Sequence, residues 1–203
     1  MVKLYIKKLE QQNYQNWYKM MKKFFIIFIF YFFVQSASAA DKQTSELNHL
    51  FTQLKTLSNS QEAKKVEDKI WELWTTHPSE DSLTELLAKG SEYMMQNQLT
   101  SAHNVFSKVI ELDPKWAEGW NKRATVLYMM GNFELSQKDI DMVLSLEKRH
   151  FGALSGQGLV QTALENYEKA IDSYIEAHKI YPSSQSTLQM IEQLSILLQK
   201  ESI

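Results

Sequence analysis

Residues 151–184 read FGALSGQGLVQTALENYEKAIDSYIEAHKIYPSS, and this stretch decides the fold. The run up to Leu164 predicts one helix, Glu165 and Asn166 form a turn, and a second helix follows. We expect the second helix to end before Pro182, because the residue that precedes a proline avoids the helical conformation. The stretch therefore predicts two helices joined by a tight turn.

The same pattern recurs every 34 residues, which divides the region into the consecutive units 83–116, 117–150 and 151–184. Small residues hold equivalent positions in each unit, and a larger residue follows at a fixed distance: Gly90, Ala124 and Gly158; Ala102, Ser136 and Ala170; Phe106, Ile140 and Tyr174. Small side chains let paired helices approach at the lower end of the usual interaxial range of about 8–10 Å. The larger residues are then expected to fill the space where neighbouring helices diverge.

This order of small, aromatic and proline positions resembles the tetratricopeptide repeat (TPR) family over residues 83–184. The resemblance implies an all-α fold, an α-solenoid of helix-turn-helix repeats wound into a right-handed superhelix. Two positions depart from the family pattern: Lys89 stands where leucine is usual, and Lys148 stands where proline is expected. Without that proline, the preceding helix is free to run on through Lys148 and Arg149.

Both flanks of the repeats carry amphipathic helical patterns. Residues 41–82 predict a degenerate helix pair that caps the N-terminal end of the stack. Residues 185–200 predict a C-terminal capping helix, because an end repeat otherwise exposes an apolar face. The apolar face of that helix is expected to consist of Leu188, Ile191, Leu194 and Leu198.

The N-terminus has the features of an export signal. Lys22 and Lys23 precede the apolar run 24–34, and Ala37-Ser38-Ala39 follows it as a small-residue cleavage site. Residues 20–39 therefore predict a cleaved signal peptide and residues 1–19 an overextended start. The predicted location is an exported compartment, the bacterial periplasm. The alternative is an uncleaved anchor at residues 22–40, with the repeats facing that same compartment.

Composition excludes several classes of function. The chain has no cysteine, so thiolate metal sites and cysteine nucleophiles are absent. Residues 41–203 carry 16 basic and 23 acidic residues, a net charge of −7, which argues against nucleic acid as a partner. The five histidines do not share a helix at metal-ligand spacing, and the sequence has no HExxH, GxSxG, phosphate-loop or dinucleotide motif. We therefore expect a protein that is not an enzyme and that has no catalytic residues, metal or cofactor.

The TPR resemblance implies a concave surface lined by the first helix of each unit. Carried onto this sequence, the predicted partner-binding residues are Leu87, Ser91, Met94, Met95, Asn121, Lys122, Thr125, Tyr128, Met129, Ser155, Leu159 and Thr162. Methionine suits an adaptable groove. Some family members clamp the C-terminal carboxylate of a chaperone, but at those positions only Lys122 could bind an anion here, since the others are Leu87, Ser91 and Gly156.

The predicted function is accordingly that of an exported adaptor that binds a protein or an extended peptide. The alternative is a membrane-tethered structural subunit of an envelope assembly, which contacts the membrane only through its N-terminal segment.

Processing can be tested directly. Because the apolar run is shorter than a bilayer span of about 20 residues and a small-residue site follows it, we expect the mature chain to begin at Ala40 or Asp41. N-terminal sequencing of the protein purified from its native source measures this. Retention of Phe24 to Val34 in the mature protein would assign it to the tethered class.

Overall fold

The computed structural model describes the backbone of residues 2–201 and the side chains of residues 14, 15, 17–25 and 40–200. Along that backbone every regular element is a helix. In chain order these are α1 (Val2–Thr56), α2 (Ser60–Thr75), α3 (Asp81–Met95), α4 (Leu99–Leu112), α5 (Ala117–Met129), α6 (Phe133–Leu146), α7 (Phe151–Ala163), α8 (Tyr167–Ile180) and α9 (Gln185–Glu201). The chain divides into two compact units, Met1–Thr44 and Ser45–Ile203.

The first unit contains most of α1. Among the described side chains of this unit, seven large hydrophobic ones are exposed: Tyr14, Trp17, Tyr18, Met20, Met21, Phe24 and Phe25. Within the described part of the chain, no helix combines the length and the apolar character that a membrane span needs. The side chains of residues 26–39, which hold most of the predicted apolar run and the predicted cleavage site, lie outside the described residues. The signal peptide and the anchor therefore stay predictions.

Each of the three predicted units contains one helix pair, and the same turn closes each pair. The turn residues Asn97, Gly131 and Glu165 have φ values of 57°, 75° and 60° and lie one repeat apart. The residue after each of these donates its backbone N–H to the carbonyl five residues earlier: Gln98 to Tyr93, Asn132 to Leu127 and Asn166 to Gln161. This bond is the mark of the Schellman motif, which satisfies carbonyls at the end of the first helix.

The small residues permit the close helix contacts that the sequence predicts. A Cβ added to Gly90 would lie 2.5 Å from the Phe106 ring, and one added to Gly158 would lie 2.5 Å from the Tyr174 ring. Ala102 and Ala170 are fully buried. The Ser136 hydroxyl donates to the Ala124 carbonyl at 2.8 Å, which joins the two helices of the central pair. The predicted α-solenoid of helix pairs is confirmed.

The second helix of each pair ends at the equivalent position of its repeat, although Lys148 stands where the family has proline. The last residues of α4, α6 and α8 are Leu112, Leu146 and Ile180. The alternative in which α6 runs on through Lys148 and Arg149 does not occur, because Glu147 ends the helix. Its Oε1 accepts the N–H of Arg149 at 3.0 Å, just as Asp113 Oδ1 accepts the N–H of Lys115 at 2.8 Å. A side-chain acceptor thus takes the place of the missing proline.

Helix α9 packs on α8 at the C-terminal end of the repeats. Leu194 is buried in a cluster with Ala170 and Tyr174, and Ile191 packs against that cluster. Leu188, which we expected on the same apolar face, is instead 41% exposed.

Residues 45–75, the end of α1 together with α2, pack against more than one part of the repeats. Leu54 of α1 and Ile70 and Trp74 of α2 are buried in one cluster with Phe151 and Tyr181. Helix α2 also contacts α5, whereas in the repeats each second helix packs on the next first helix, α4 on α5 and α6 on α7. Helix α2 and the segment after it also contact the first unit, through Trp74 with Trp116 and His77 with Asp113. That residues 41–82 cap the N-terminal end of the stack stays a prediction.

The repeated turn gives a paired test of backbone strain. Glu165→Gly removes the cost of a left-handed side-chain residue, and we expect the free energy of unfolding to rise by about 0.5–1 kcal/mol. Gly131→Ala should lower it by about 1 kcal/mol through φ alone, because a Cβ at Gly131 meets nothing within 4 Å. Urea denaturation of both variants measures these changes. A destabilised Glu165→Gly would contradict the role assigned to this turn.

Candidate binding site

The predicted binding residues of α3 contribute mainly to the core. Leu87 is 2% exposed in a cluster with Leu83 and Phe106, and Met94 packs against that cluster. The Ser91 hydroxyl donates to the Leu87 carbonyl at 3.0 Å. Met95, by contrast, is 77% exposed.

Some of the predicted residues of α5 belong to a buried hydrogen-bond network, and others are exposed to solvent. The Asn121 amide is buried and donates to the Glu118 carboxylate at 3.1 Å, and Lys122 Nζ lies 3.3 Å from Glu118 Oε1. Tyr128 is half-buried against Phe133. Two further residues are exposed, Thr125 and Met129.

On α7 two of the three predicted residues line open depressions. Ser155 is half-buried, and Leu159 is 40% exposed. Thr162 donates its hydroxyl to the Gly158 carbonyl at 2.7 Å.

Three depressions share residues of α7, and together we call them the α7 depression. The first, of about 60 Å³, lies between α5 and α7 and is lined by Asn121, Thr125, Tyr128 and Leu159, among others. The second, of about 160 Å³, lies between α7 and α9 and includes Ser155, Leu159 and Met190. The third, of about 210 Å³, includes Gly152 and Ser155. The structure thus brings together five of the predicted residues, Asn121, Thr125, Tyr128, Ser155 and Leu159, while the α3 residues are not part of this lining. That these residues bind a partner stays a prediction.

Sequence reasoning missed the contribution of α2 to this site. Glu67 and Trp71 of α2 line the third depression together with Phe151 and Tyr181. A Cβ added to Gly152 would lie 2.5 Å from the Trp71 ring, so glycine is what lets α2 approach α7 so closely. The tryptophan pair in α2 was the available signal, but a 34-residue period does not indicate which surface such residues cover.

A buried carboxylate joins α5 to the start of α7. Glu118 is 1% exposed, and His150 is fully buried. His150 Nδ1 accepts the N–H of Ala153 at 3.0 Å, so Nε2 carries the proton and donates to Glu118 Oε2 at 3.1 Å. Burial by itself raises the pKa of Glu118, but His150, Lys122 and Asn121 outweigh it and hold the pKa below its ordinary value.

The same histidine positions α2. The imidazole of His150 stacks on the Trp74 ring, with 3.9 Å between ring centroids and 6° between planes. The Trp74 carbonyl in turn accepts the indole N–H of Trp116 at 2.9 Å. Lys122 Nζ lies 5.9 Å from the centroid of the Trp71 ring. Helix α2 is therefore held by contacts from both α5 and the α6–α7 loop.

Among the described residues, no three histidine, cysteine or acidic side chains lie close enough together to hold a metal ion. The polar groups of the α7 depression are mainly hydroxyls and amides, which can bind the backbone of an extended chain.

No protein-family model matches this chain. A TPR repeat-containing protein of Rhizobium etli is 28% identical over 162 residues, which is 80% of this chain and 79% of that protein. Hsp70-Hsp90 organizing protein 1 of Glycine max is 27% identical over 114 residues, 56% of this chain but 20% of that protein. The name of the Rhizobium etli relative supports the TPR resemblance.

Solved structures agree on the fold. The first TPR of Spaghetti (RPAP3), bound to the Hsp90 peptide SRMEEVD, has a TM-score of 0.56 and 22% identity, covering 57% of this chain and 92% of that one. The Yersinia enterocolitica type III secretion chaperone SycD, in complex with a peptide of the translocator YopD, has a TM-score of 0.54 and 14% identity, covering 58% and 95%. The fold is an α-solenoid of TPR repeats.

The buried carboxylate gives a pH-dependent test. At pH 7 we expect Glu118→Ala to lower the free energy of unfolding by about 3 kcal/mol, because it breaks a buried, hydrogen-bonded pair. Because folding lowers the pKa of Glu118, its contribution is present above the unfolded value near 4.5 and is lost as the pH falls below it. The difference in the free energy of unfolding between wild type and variant should therefore become smaller in acid. Chemical denaturation at several pH values measures this.

The matched control is Asp172→Ala, which removes an exposed acid from α8. This substitution should change the free energy of unfolding by no more than about 0.5 kcal/mol at every pH. Equal effects of the two substitutions would refute a special role for Glu118.

Proposed function

We propose that this chain is a non-catalytic adaptor that binds a protein or an extended peptide in the α7 depression, in an exported compartment such as the bacterial periplasm. The observation that carries the proposal is the continuity of the depression. Leu159 lines both its first and second parts, and Ser155 lines both its second and third parts. A chain laid along α7 would thus meet apolar side chains and hydroxyls in turn.

The proteins that resemble this chain support a role in binding a protein or a peptide. Two structural neighbours hold peptides, one from Hsp90 and one from YopD. One relative is named for organising Hsp70 and Hsp90, although this chain spans 20% of its length. A surface of stacked helix pairs that holds an extended segment is a recurring use of solenoids.

The chemistry of the site disfavours an acidic chaperone tail as the ligand. Lys122 is already engaged by the buried Glu118 at 3.3 Å. At the other positions of the family's clamp, Leu87 is buried in the core and Gly156 has no side chain to offer. A ligand carboxylate would meet no uncompensated cation among these residues. We therefore propose that the segment bound here is not acidic.

A second candidate function is that of a tethered subunit that keeps its N-terminal segment. The observation in its favour is the exposed set of aromatic and basic side chains in α1, which includes Trp17, Tyr18, Lys22, Lys23 and Phe24. Tryptophan, tyrosine and lysine are typical of segments that lie at a membrane–water interface. The size of the mature protein separates the two candidates.

The α7 depression offers a matched pair of leucines for a binding test. Leu159 lines the depression and is 40% exposed, whereas Leu188 on α9 is 41% exposed and is not part of that lining. A peptide selected on the wild-type chain from a phage-displayed random 12-residue library serves as the probe. We expect Leu159→Glu to raise its dissociation constant about tenfold or more, because a charge replaces a central apolar contact.

Leu188→Glu should leave the affinity unchanged, and far-UV circular dichroism should show both variants folded. If the two variants bind equally well, the α7 depression is not the binding site.

A further inference from the structure

The third part of the α7 depression differs from the other two because it contains a carboxylate. We call it the Glu67 pocket, a cavity of about 210 Å³ between α2, α7 and the α8–α9 loop. Three aromatic residues and four serine or threonine residues line it beside Glu67: Trp71, Phe151, Tyr181, Ser155, Ser184, Ser186 and Thr187. Lys64, which contacts Glu67, and Lys122, which lies near the Trp71 ring, are not part of this lining.

The Glu67 carboxylate is held in a fixed position. Its Oε1 accepts the indole N–H of Trp71 at 3.2 Å, and its Oε2 accepts the hydroxyl of Tyr181 at 3.2 Å. Its side chain is 18% exposed and is part of the pocket lining. A carboxylate offers about four lone-pair sites, and it can therefore accept a further donor without losing these two bonds.

The present cationic partner of Glu67 lies outside the pocket. Lys64 Nζ contacts Glu67 Oε2 at 3.1 Å and Asp68 Oδ1 at 3.0 Å, and the Lys64 side chain is 58% exposed. A pair whose lysine is this open to water stabilises the fold only weakly. A cation that enters the pocket can therefore displace Lys64 at little cost, and Asp68 remains to pair with that lysine.

The aromatic residues of the pocket also favour a positively charged ligand. The face of an aromatic ring attracts cations, and Lys122 Nζ already lies 5.9 Å from the Trp71 centroid. Burial, and then the neighbouring Glu67 carboxylate, raise the pKa of Tyr181 to about 12. The phenol therefore stays neutral and keeps donating its hydrogen bond at physiological pH.

We propose that the Glu67 pocket binds an arginine side chain of the peptide that lies in the α7 depression. A planar guanidinium can stack on an aromatic ring while its N–H groups donate to the Glu67 carboxylate and to the hydroxyls of Ser155 and Thr187. The partner is thus a basic segment, which suits the net charge of −7 over residues 41–203. This inference rests on the proposed function and specifies its ligand.

The test compares two peptides that differ at one side chain, a charged guanidinium in one and a neutral urea group of the same shape in the other. The probes are a capped alanine pentapeptide with a central arginine and the same peptide with citrulline, the neutral isostere of arginine. Each is titrated into the isotopically labelled full chain, and amide chemical shifts are followed by NMR. We expect the arginine peptide to bind about tenfold more tightly, with the largest shifts at Gly152, Ser155 and Thr187.

Two substitutions then locate the charge. Glu67→Gln keeps an oxygen acceptor for the Trp71 indole, and its amide NH2 group can donate to the Tyr181 hydroxyl instead of accepting from it, but it removes the charge. It should therefore abolish the preference for arginine over citrulline. Asp68→Asn removes the same charge from the adjacent residue, which is 61% exposed, and should preserve the preference. Equal affinities of the two peptides for the wild-type chain would overturn the proposal, and that comparison needs no variant.

The outcome also separates this inference from the proposed function. If the phage-selected peptide binds in the α7 depression but arginine and citrulline peptides bind alike, the adaptor function stands and the arginine pocket is wrong. If neither the selected peptide nor the pentapeptides shift the amides of α7, both fail.

Discussion

The hydrogen bond between Glu118 and His150 is the constraint on which the arrangement of the helix pairs depends. It joins α5 to the residue that caps α7, and both groups are almost completely removed from water. A buried carboxylate is costly unless donors surround it, and here His150, Lys122 and Asn121 supply them. Because His150 also stacks on Trp74, the pair that joins two repeats also determines where α2 lies.

The position of α2 turns a repetitive surface into a site with a distinct chemistry. The first helices alone offer apolar and hydroxyl groups, as Leu159 and Ser155 illustrate. Helix α2 adds an indole and the carboxylate of Glu67, and it can approach because residue 152 of α7 is glycine. Without α2, this lining would have no carboxylate.

Much of the repeat architecture could be predicted because its causes are local or periodic. Gly158 and Tyr174 are sixteen residues apart in one helix pair, and their contact follows from the pattern that predicts the pair. The site was predictable only in part. Asn121, Thr125 and Leu159 do line the depression, but Leu87 belongs to the core. A helical residue near the edge of an apolar face can turn toward the core or the groove, and spacing does not distinguish the two.

The sequence by itself determined the helix pairs, their period and their tight turns, because each depends on residues within one repeat of each other. The tertiary structure alone decided that α2 lies against α7, that Tyr181 donates to Glu67 across 114 positions of chain, and that Arg149 reaches Asn48 across 101. Such contacts leave no periodic signal, since any apolar helix face can bury itself against several surfaces. What selects one of them is the fit of particular groups, here Trp71 on Gly152 and Trp74 on His150.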